Sequence, residues 1–149
     1  MKVIKKEPGK MPVLADVENT LEALQKEVGG MVEAVTLTKD LVILCDEEGR
    51  LEGKEKNIEI PKMGIDFVGT VLFVGFDGEE FCDVPEADFL LWSFFGIVRY
   101  SRADRKHNVW NCQRCGHLEQ FEADGPYENG WNICPVCGGT ILTPGNGIT

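Results

Sequence analysis

Histidine, positive charge and long apolar runs are scarce in this sequence, and each scarcity removes a class of function. The only two histidines are His107 and His117, both close to the last four cysteines. No nucleophile with a base and its orienting partner stands out elsewhere. There is no Gly-x-x-x-x-Gly-Lys loop, so the phosphate cradle of that class of nucleotide hydrolase is missing. Fifteen Lys and Arg stand against 25 Asp and Glu, a formal net charge of −10. The imbalance is local: residues 1–98 hold 10 basic and 20 acidic side chains, whereas residues 99–149 hold five of each. Phosphate neutralisation needs a basic surface, so weak or no nucleic-acid binding is expected. The apolar stretch 89–98 is about half the ~20 residues that a membrane span requires. Residues 1–10 contain lysines but no apolar core of a signal peptide, which leads to the expectation of a reduced, cytoplasmic setting.

The most specific feature is a pair of C-x-x-C motifs. Cys112-Gln113-Arg114-Cys115-Gly116-His117 is followed, after a loop, by Trp131-Asn132-Ile133-Cys134-Pro135-Val136-Cys137-Gly138-Gly139, with 18 residues between Cys115 and Cys134. That spacing suits a four-cysteine zinc site, and each short turn sets two thiolates on one edge of a tetrahedron. Disulfides are the competing use of four cysteines, and the spacing favours metal. One structural Zn²⁺ on Cys112, Cys115, Cys134 and Cys137 is therefore expected, in a zinc ribbon. Gly116 and Gly138 would let the turns take positive φ and aim amides at the sulfurs. His117 is expected beside the thiolates, donating to one of them or capping the knuckle. Four thiolates close the site to water, which disfavours zinc hydrolysis. The Cys134-Pro135-Val136-Cys137-Gly138 knuckle with Trp131 ahead of it also resembles rubredoxin, so an iron electron-transfer module is the alternative. Trp110, Phe121, Tyr127 and Trp131 are expected to cover the metal, and Cys45 and Cys82 to be buried thiols.

Hydrophobic content of 43% and charged content of 27% are globular values. Residues 2–6 read as a first strand, with Val13 and Leu14 extending a second strand or an arm. A helix follows, with Asn19 as N-cap, Glu22 as its reciprocal partner and Gly29-Gly30 as the stop. Leu21, Leu24 and Val28 share its apolar face. Residues 31–38 alternate as a half-buried strand, and residues 41–45 read as a central one. Residues 50–62, charged and without period, read as a mobile loop. Residues 67–76 read as one deeply buried strand, in which Gly69 and Gly75 mark a bulge or a close backbone approach, turning at Asp77-Gly78 into residues 81–84. A second helix is expected over residues 84–98, capped by Asp83 and Glu86 and apolar nearly all round. One face would pack on the sheet, the other on the ribbon or on a second copy as a homodimer. Arg99, Arg102, Arg105 and Lys106 follow as a basic tail that pairs with the helix end and the acidic domain. Only Arg99, Arg102, Arg105, Lys106 and Arg114 could neutralise phosphate, and Arg102, Arg105, Lys106 and Arg114 are the candidates for a nucleic-acid contact.

Leu21-Glu22-Ala23-Leu24-Gln25, Val28-Gly29-Gly30, Glu33-Ala34-Val35, Glu47-Glu48-Gly49-Arg50-Leu51 and Val68-Gly69-Thr70 together resemble an uncharacterised bacterial family, number 3846 among the domains of unknown function. The resemblance covers residues 1 to about 90. It implies an α+β domain and an origin in a phage or conjugative element, and it implies no activity. Members carry Asn before the Glu-Glu-Gly turn and Asn-Arg after it, where this sequence has Asp46 and Asn57-Ile58. A ligand held through that Asn and Arg is therefore not expected here. The fold expectation is an α+β domain over 1–103, with a small mixed or antiparallel sheet and two helices, then a zinc ribbon over 104–143 and a flexible tail over 144–149. The functional expectation is a non-enzymatic, zinc-containing adaptor of a mobile element that binds a protein partner. Sequestration of a small host signal by the N-terminal domain is a further alternative.

Overall fold

The computed structural model describes residues 1–104, 106–120, 131–134, 136–137 and 139–142. The chain divides after Ala87 into two compact units, residues 1–87 joined by Leu142, and residues 88–141. The expected tail over 144–149 lies outside the described residues. All strand pairings described are antiparallel, and with two α-helices the fold is α+β.

The first unit is organised on β1 (Lys2–Lys6), β2 (Val13–Asp16), α1 (Leu21–Val28), β3 (Val32–Thr38), β4 (Leu41–Asp46), β5 (Lys56–Ile60), β6 (Ile65–Val68), β7 (Val71–Phe76) and β8 (Phe81–Cys82). The main sheet runs β2-β1-β7-β4-β3, with β8 also on β7, while β5 and β6 form a separate ribbon. Every residue of β4 is buried, as its apolar run requires of a strand covered on both faces. Val3, Val42, Leu44, Leu72 and Val74 pack with Leu24 and Val28 of α1 in one cluster. The alternating residues Ile4, Ile43 and Phe73 point to the opposite face and are fully buried too.

Several local expectations move. Thr20, not Asn19, caps α1: its Oγ1 accepts the Ala23 amide at 3.2 Å, while Asn19 Nδ2 donates to the Phe81 carbonyl. Leu21 is exposed, so only Leu24 and Val28 anchor the helix. The segment 50–62 is not a loop throughout. It holds β5 and a 3-10 turn (Pro61–Met63), and its lack of period has a cause: the pairing register shifts between Lys56 and Glu59, so adjacent Asn57 and Ile58 are both buried. The expected single strand over 67–76 is two strands of different sheets. Gly69, at φ 71°, makes the turn between them. At Gly75 the close approach holds, since a Cβ there would run into the Asp83 carbonyl.

Lys6 is fully buried, its Nζ donating to the Glu7 carbonyl (2.7 Å) and to Asn57 Oδ1 (3.0 Å). Burial lowers its pKa from 10.5 to about 8, against the opposing fields of Glu55 and Glu7. Between those values the unfolded chain keeps a proton that the folded chain has shed. Stability therefore rises with pH across that window, by at most about 1.4 kcal/mol per pH unit. Denaturant unfolding at pH 8 to 10.5 should show this contribution in the native chain and lose it in Lys6→Met. Identical pH profiles for the two proteins would count against it.

The second unit begins with α2 (Ala87–Phe95) and continues through β9 (Ile97–Asp104), β10 (Val109–Cys112), β11 (Leu118–Gln120) and β12 (Trp131–Ile133), in the order β11-β10-β9-β12. The expected helix over 84–98 is shorter at both ends. Asp83 accepts the Lys2 amide at 2.8 Å rather than capping a helix, and Glu86 adopts φ 45°. At the other end Gly96, at φ 70°, turns the chain so that Ile97 and Val98 enter β9. The amides of Gly139, Thr140 and Ile141 bond back to the carbonyls of Ser93 and Phe94, satisfying the helix's last turn. Arg99 and Arg102 consequently lie on a strand, not on a helical tail. Nor is α2 buried all round, since Leu90 and Phe95 are buried while Phe89 is 49% exposed.

Candidate metal centre

β9 and β10 form a hairpin that delivers Cys112 to the start of the first knuckle, and β12 pairs with the other edge of β9 and delivers Cys134 to the second. One strand thus sets both C-x-x-C turns. In the first knuckle the Gly116 amide returns to the Cys112 carbonyl at 2.9 Å, with Gly116 at φ 78°. The amides of Arg114 and Cys115 point at Cys112 Sγ, at 3.4 and 3.5 Å. In the second knuckle the Val136 and Cys137 amides do the same for Cys134, whose own amide donates to the Gly96 carbonyl at 2.8 Å.

The four sulfurs all lie within 4.8 Å of one another. Across the knuckles, Cys112 and Cys137 are 3.7 Å apart and Cys115 and Cys134 3.6 Å. Thiolates about 2.3 Å from a tetrahedral metal stand about 3.8 Å from each other, whereas a disulfide needs about 2.05 Å. All six cysteines are free thiols. The donor set therefore fits a tetrahedral, thiolate-loving metal ion, and both zinc and iron meet that description.

Burial works against the Cys134 thiolate, but the Val136 and Cys137 amides and the Tyr100 hydroxyl outweigh it and bring its pKa down to about 7. At Cys137 burial dominates and pushes the thiol up to about 12. A bound cation would deprotonate both. Outside this site, burial raises the thiol pKa of Cys45 to about 11 and raises that of Cys82 as well. Cys45 is buried and Cys82 half-buried.

His117 takes part through its backbone: its carbonyl accepts the Cys112 amide at 2.8 Å and its amide bonds Cys115. The imidazole turns away, with Nε2 2.7 Å from Glu119 Oε2. Gly138 lies outside the described residues. Val98, Tyr100, Cys112 and Cys134 form a buried cluster at the site, with Trp92, Trp110 and Cys137 packed against it. Of the expected metal-covering aromatics, Trp110 is in place; Phe121, Tyr127 and the side chain of Trp131 lie outside the described part.

Tyr100 and Trp92 are participants that sequence reasoning missed. The buried Tyr100 hydroxyl sits 3.4 Å from the Ile133 carbonyl and beside the Cys134 sulfur. Trp92 Nε1–H is buried with no conventional acceptor, yet lies near enough to Cys137 to favour its thiolate. The alternation Val98, Tyr100, Arg102 leading toward a hairpin could have marked Tyr100 as inward-facing. Nothing in the sequence ties Trp92 to a cysteine 45 positions away.

Arg102 stacks on Trp110 (4.6 Å to the ring centroid) and Arg114 on Trp92 (3.6 Å). Lys106 is exposed in the β9–β10 turn, where its amide bonds Asp104, and Arg105 lies outside the described residues. Among the described residues no helix is long and apolar enough to cross a membrane.

In the first unit the positions singled out by the family resemblance are architectural. Asp46 is buried and meets Lys54 Nζ at 2.5 Å, and that ammonium also donates to the carbonyls of Val28 and Gly29 at the end of α1. Asn57 is 1% exposed and bonds to both Lys6 and Gly69, while Ile58, at the place of the family's arginine, is buried. No curated protein and no solved structure matches the chain. Residues 1–94, more than half of the 149, match the family model described as "Domain of unknown function (DUF3846)", and the protein belongs to that family.

Proposed function

We propose that this is a non-enzymatic binding protein, an adaptor of a phage or other mobile element, whose second unit is held together by one structural Zn²⁺. The observation that carries the reading is the closed set of four sulfurs: two of the four residues in the buried cluster at the site, Cys112 and Cys134, are ligands themselves. Such a site leaves no position for substrate or water, so the metal would supply folding free energy and no chemistry. The mobile-element origin rests on the family resemblance alone.

Protein purified without added metal should contain one zinc per chain and be colourless. Ser at Cys112, Cys115, Cys134 or Cys137 should lower the metal content, and Cys45→Ser or Cys82→Ser should not. Full loading of the Cys112→Ser, Cys134→Ser double variant would overturn the ligand assignment. Red protein with one iron would replace zinc by the rubredoxin-like reading. For the adaptor role, the zinc-loaded chain should form a stoichiometric complex with an identified host or element-encoded protein in gel filtration. Failure to form one with any captured protein would remove that role. Sequestration of a nucleotide-like signal gains no support from the first unit. One cavity of about 190 Å³ is lined by Glu33, Asp46, Glu47 and Asp66, and its one arginine, Arg50, is already paired with Asp66 at 2.7 Å; a more open depression of about 620 Å³ sets Glu18 and Glu22 against the single cation Lys26. Carboxylates in that number repel an anion.

A further inference from the structure

Within the second unit, α2, the start of β9 and the tip of the first knuckle enclose an open groove of about 300 Å³. Its walls differ in kind. Phe89 and Trp92, ring centroids 5.7 Å apart, supply an aromatic face, and Phe89 is 49% exposed. Arg114 lies flat on Trp92, which fixes the guanidinium plane at the rim. No ion pair engages it among the described residues, so its fork of N–H donors is available to an incoming acid. Gln113 and Arg99 stand on the same rim, and Asp88 is the one carboxylate among the lining residues.

We propose that this groove is a docking site for a short segment of a partner protein in which a large apolar side chain adjoins an Asp or Glu. The apolar group would rest against Phe89 and Trp92, and the carboxylate would take the Arg114 fork. This rests on the adaptor reading and adds to it the place and the chemistry of the contact. A pre-stacked arginine over an aromatic wall is the arrangement that lets a few residues carry most of a binding energy. Charge complementarity favours a peptide over a nucleic acid. A peptide with one acid is met by the Arg114 fork, whereas a polyphosphate would need several cations in a row and would meet the field of a chain carrying −10.

The test is selection of a displayed random 12-residue peptide library on the full zinc-loaded chain, with the enriched peptide then synthesised and titrated. Enrichment of Asp or Glu next to Leu, Phe, Trp or Met is expected. Phe89→Ala and Arg114→Glu, each with its metal content verified, should weaken that peptide at least tenfold. Exchanging the peptide's acid for Lys should restore much of the binding to Arg114→Glu and to no other variant. An enriched peptide that binds both variants as well as the native chain would overturn the groove while leaving the adaptor reading standing. No enrichment, combined with no protein complex in gel filtration, would remove both. Binding of a 12-nucleotide oligo(dT) or oligo(U) at physiological salt, lost in Arg114→Glu, would assign the groove to nucleic acid and overturn the peptide.

Discussion

Chelating the metal at neutral pH should unfold residues 88–141 and leave residues 1–87 folded. Without the ion, four thiols compete for one small volume beside Val98, Tyr100, Trp92 and Trp110, and the other buried apolar residues of the described second unit are Leu90, Phe95, Ile97 and Ile141. About fifty residues bury too little apolar surface to hold that arrangement unaided. A structural zinc site of this kind contributes on the order of 10–16 kcal/mol near pH 7, more than the whole stability of a small domain. The first unit has its own core of Val3, Leu24, Val28, Val42, Leu44, Leu72 and Val74, which includes no metal ligand. The readout is clean because all three tryptophans, Trp92, Trp110 and Trp131, lie in the second unit. Their emission should shift to the red with chelator and return with zinc. Amide exchange in β1, β4 and β7 should stay slow throughout. Tryptophan emission that ignores a complete loss of metal would show that the ion is not structural, and concurrent loss of protection in β4 and β7 would show that the first unit does not stand alone.

Asn57→Ala should cost the first unit on the order of 3–5 kcal/mol, a large fraction of a typical 5–15. The side chain is a three-way tie. Its Nδ2 donates to the carbonyls of Lys6 (2.8 Å) and Gly69 (2.7 Å), and its Oδ1 accepts from the Lys6 ammonium (3.0 Å). Truncation strips two buried carbonyls of a donor and leaves a buried ammonium with only the Glu7 carbonyl. Each orphaned group costs about 1–3 kcal/mol, and the sum is less than additive because the site can relax. β1, β5 and the β6–β7 turn are all fastened through this residue, so no neighbour can substitute for it. Far-UV circular dichroism in urea should show a lower midpoint with an unchanged slope. A midpoint within the error of the native protein would mean that water replaces the amide.

What could be read from the sequence was what short-range chemistry dictates. The spacing of two C-x-x-C turns limits how far apart the sulfurs of each pair can lie, so Cys112, Cys115, Cys134 and Cys137 were legible as a set before any fold was known. β4 was legible because a strand buried on both faces has to be apolar without interruption. The stop of α1 at Gly29 was legible because only glycine turns out of a helix there without strain. By contrast, β5 was hidden: the register slip at Asn57 and Ile58 erases the alternation that marks a strand. The end of α2 was hidden although Gly96 stops it as Gly29 stops α1, because the apolar residues on both sides of Gly96 continue the helical pattern. The amides of residues 139–141, more than forty positions away, return to Ser93 and Phe94 and satisfy that end. Tyr100 and Trp92 reach the sulfurs, and Arg114 reaches Trp92, through contacts between segments far apart in the chain. No local pattern encodes such contacts, since they depend on the twist and register of β9 between its two partners. The sequence by itself determined which atoms could bind a metal; the tertiary structure decided what surrounds that metal and which face remains open beside it, because burial and stacking are set by packing partners rather than by neighbours in the chain.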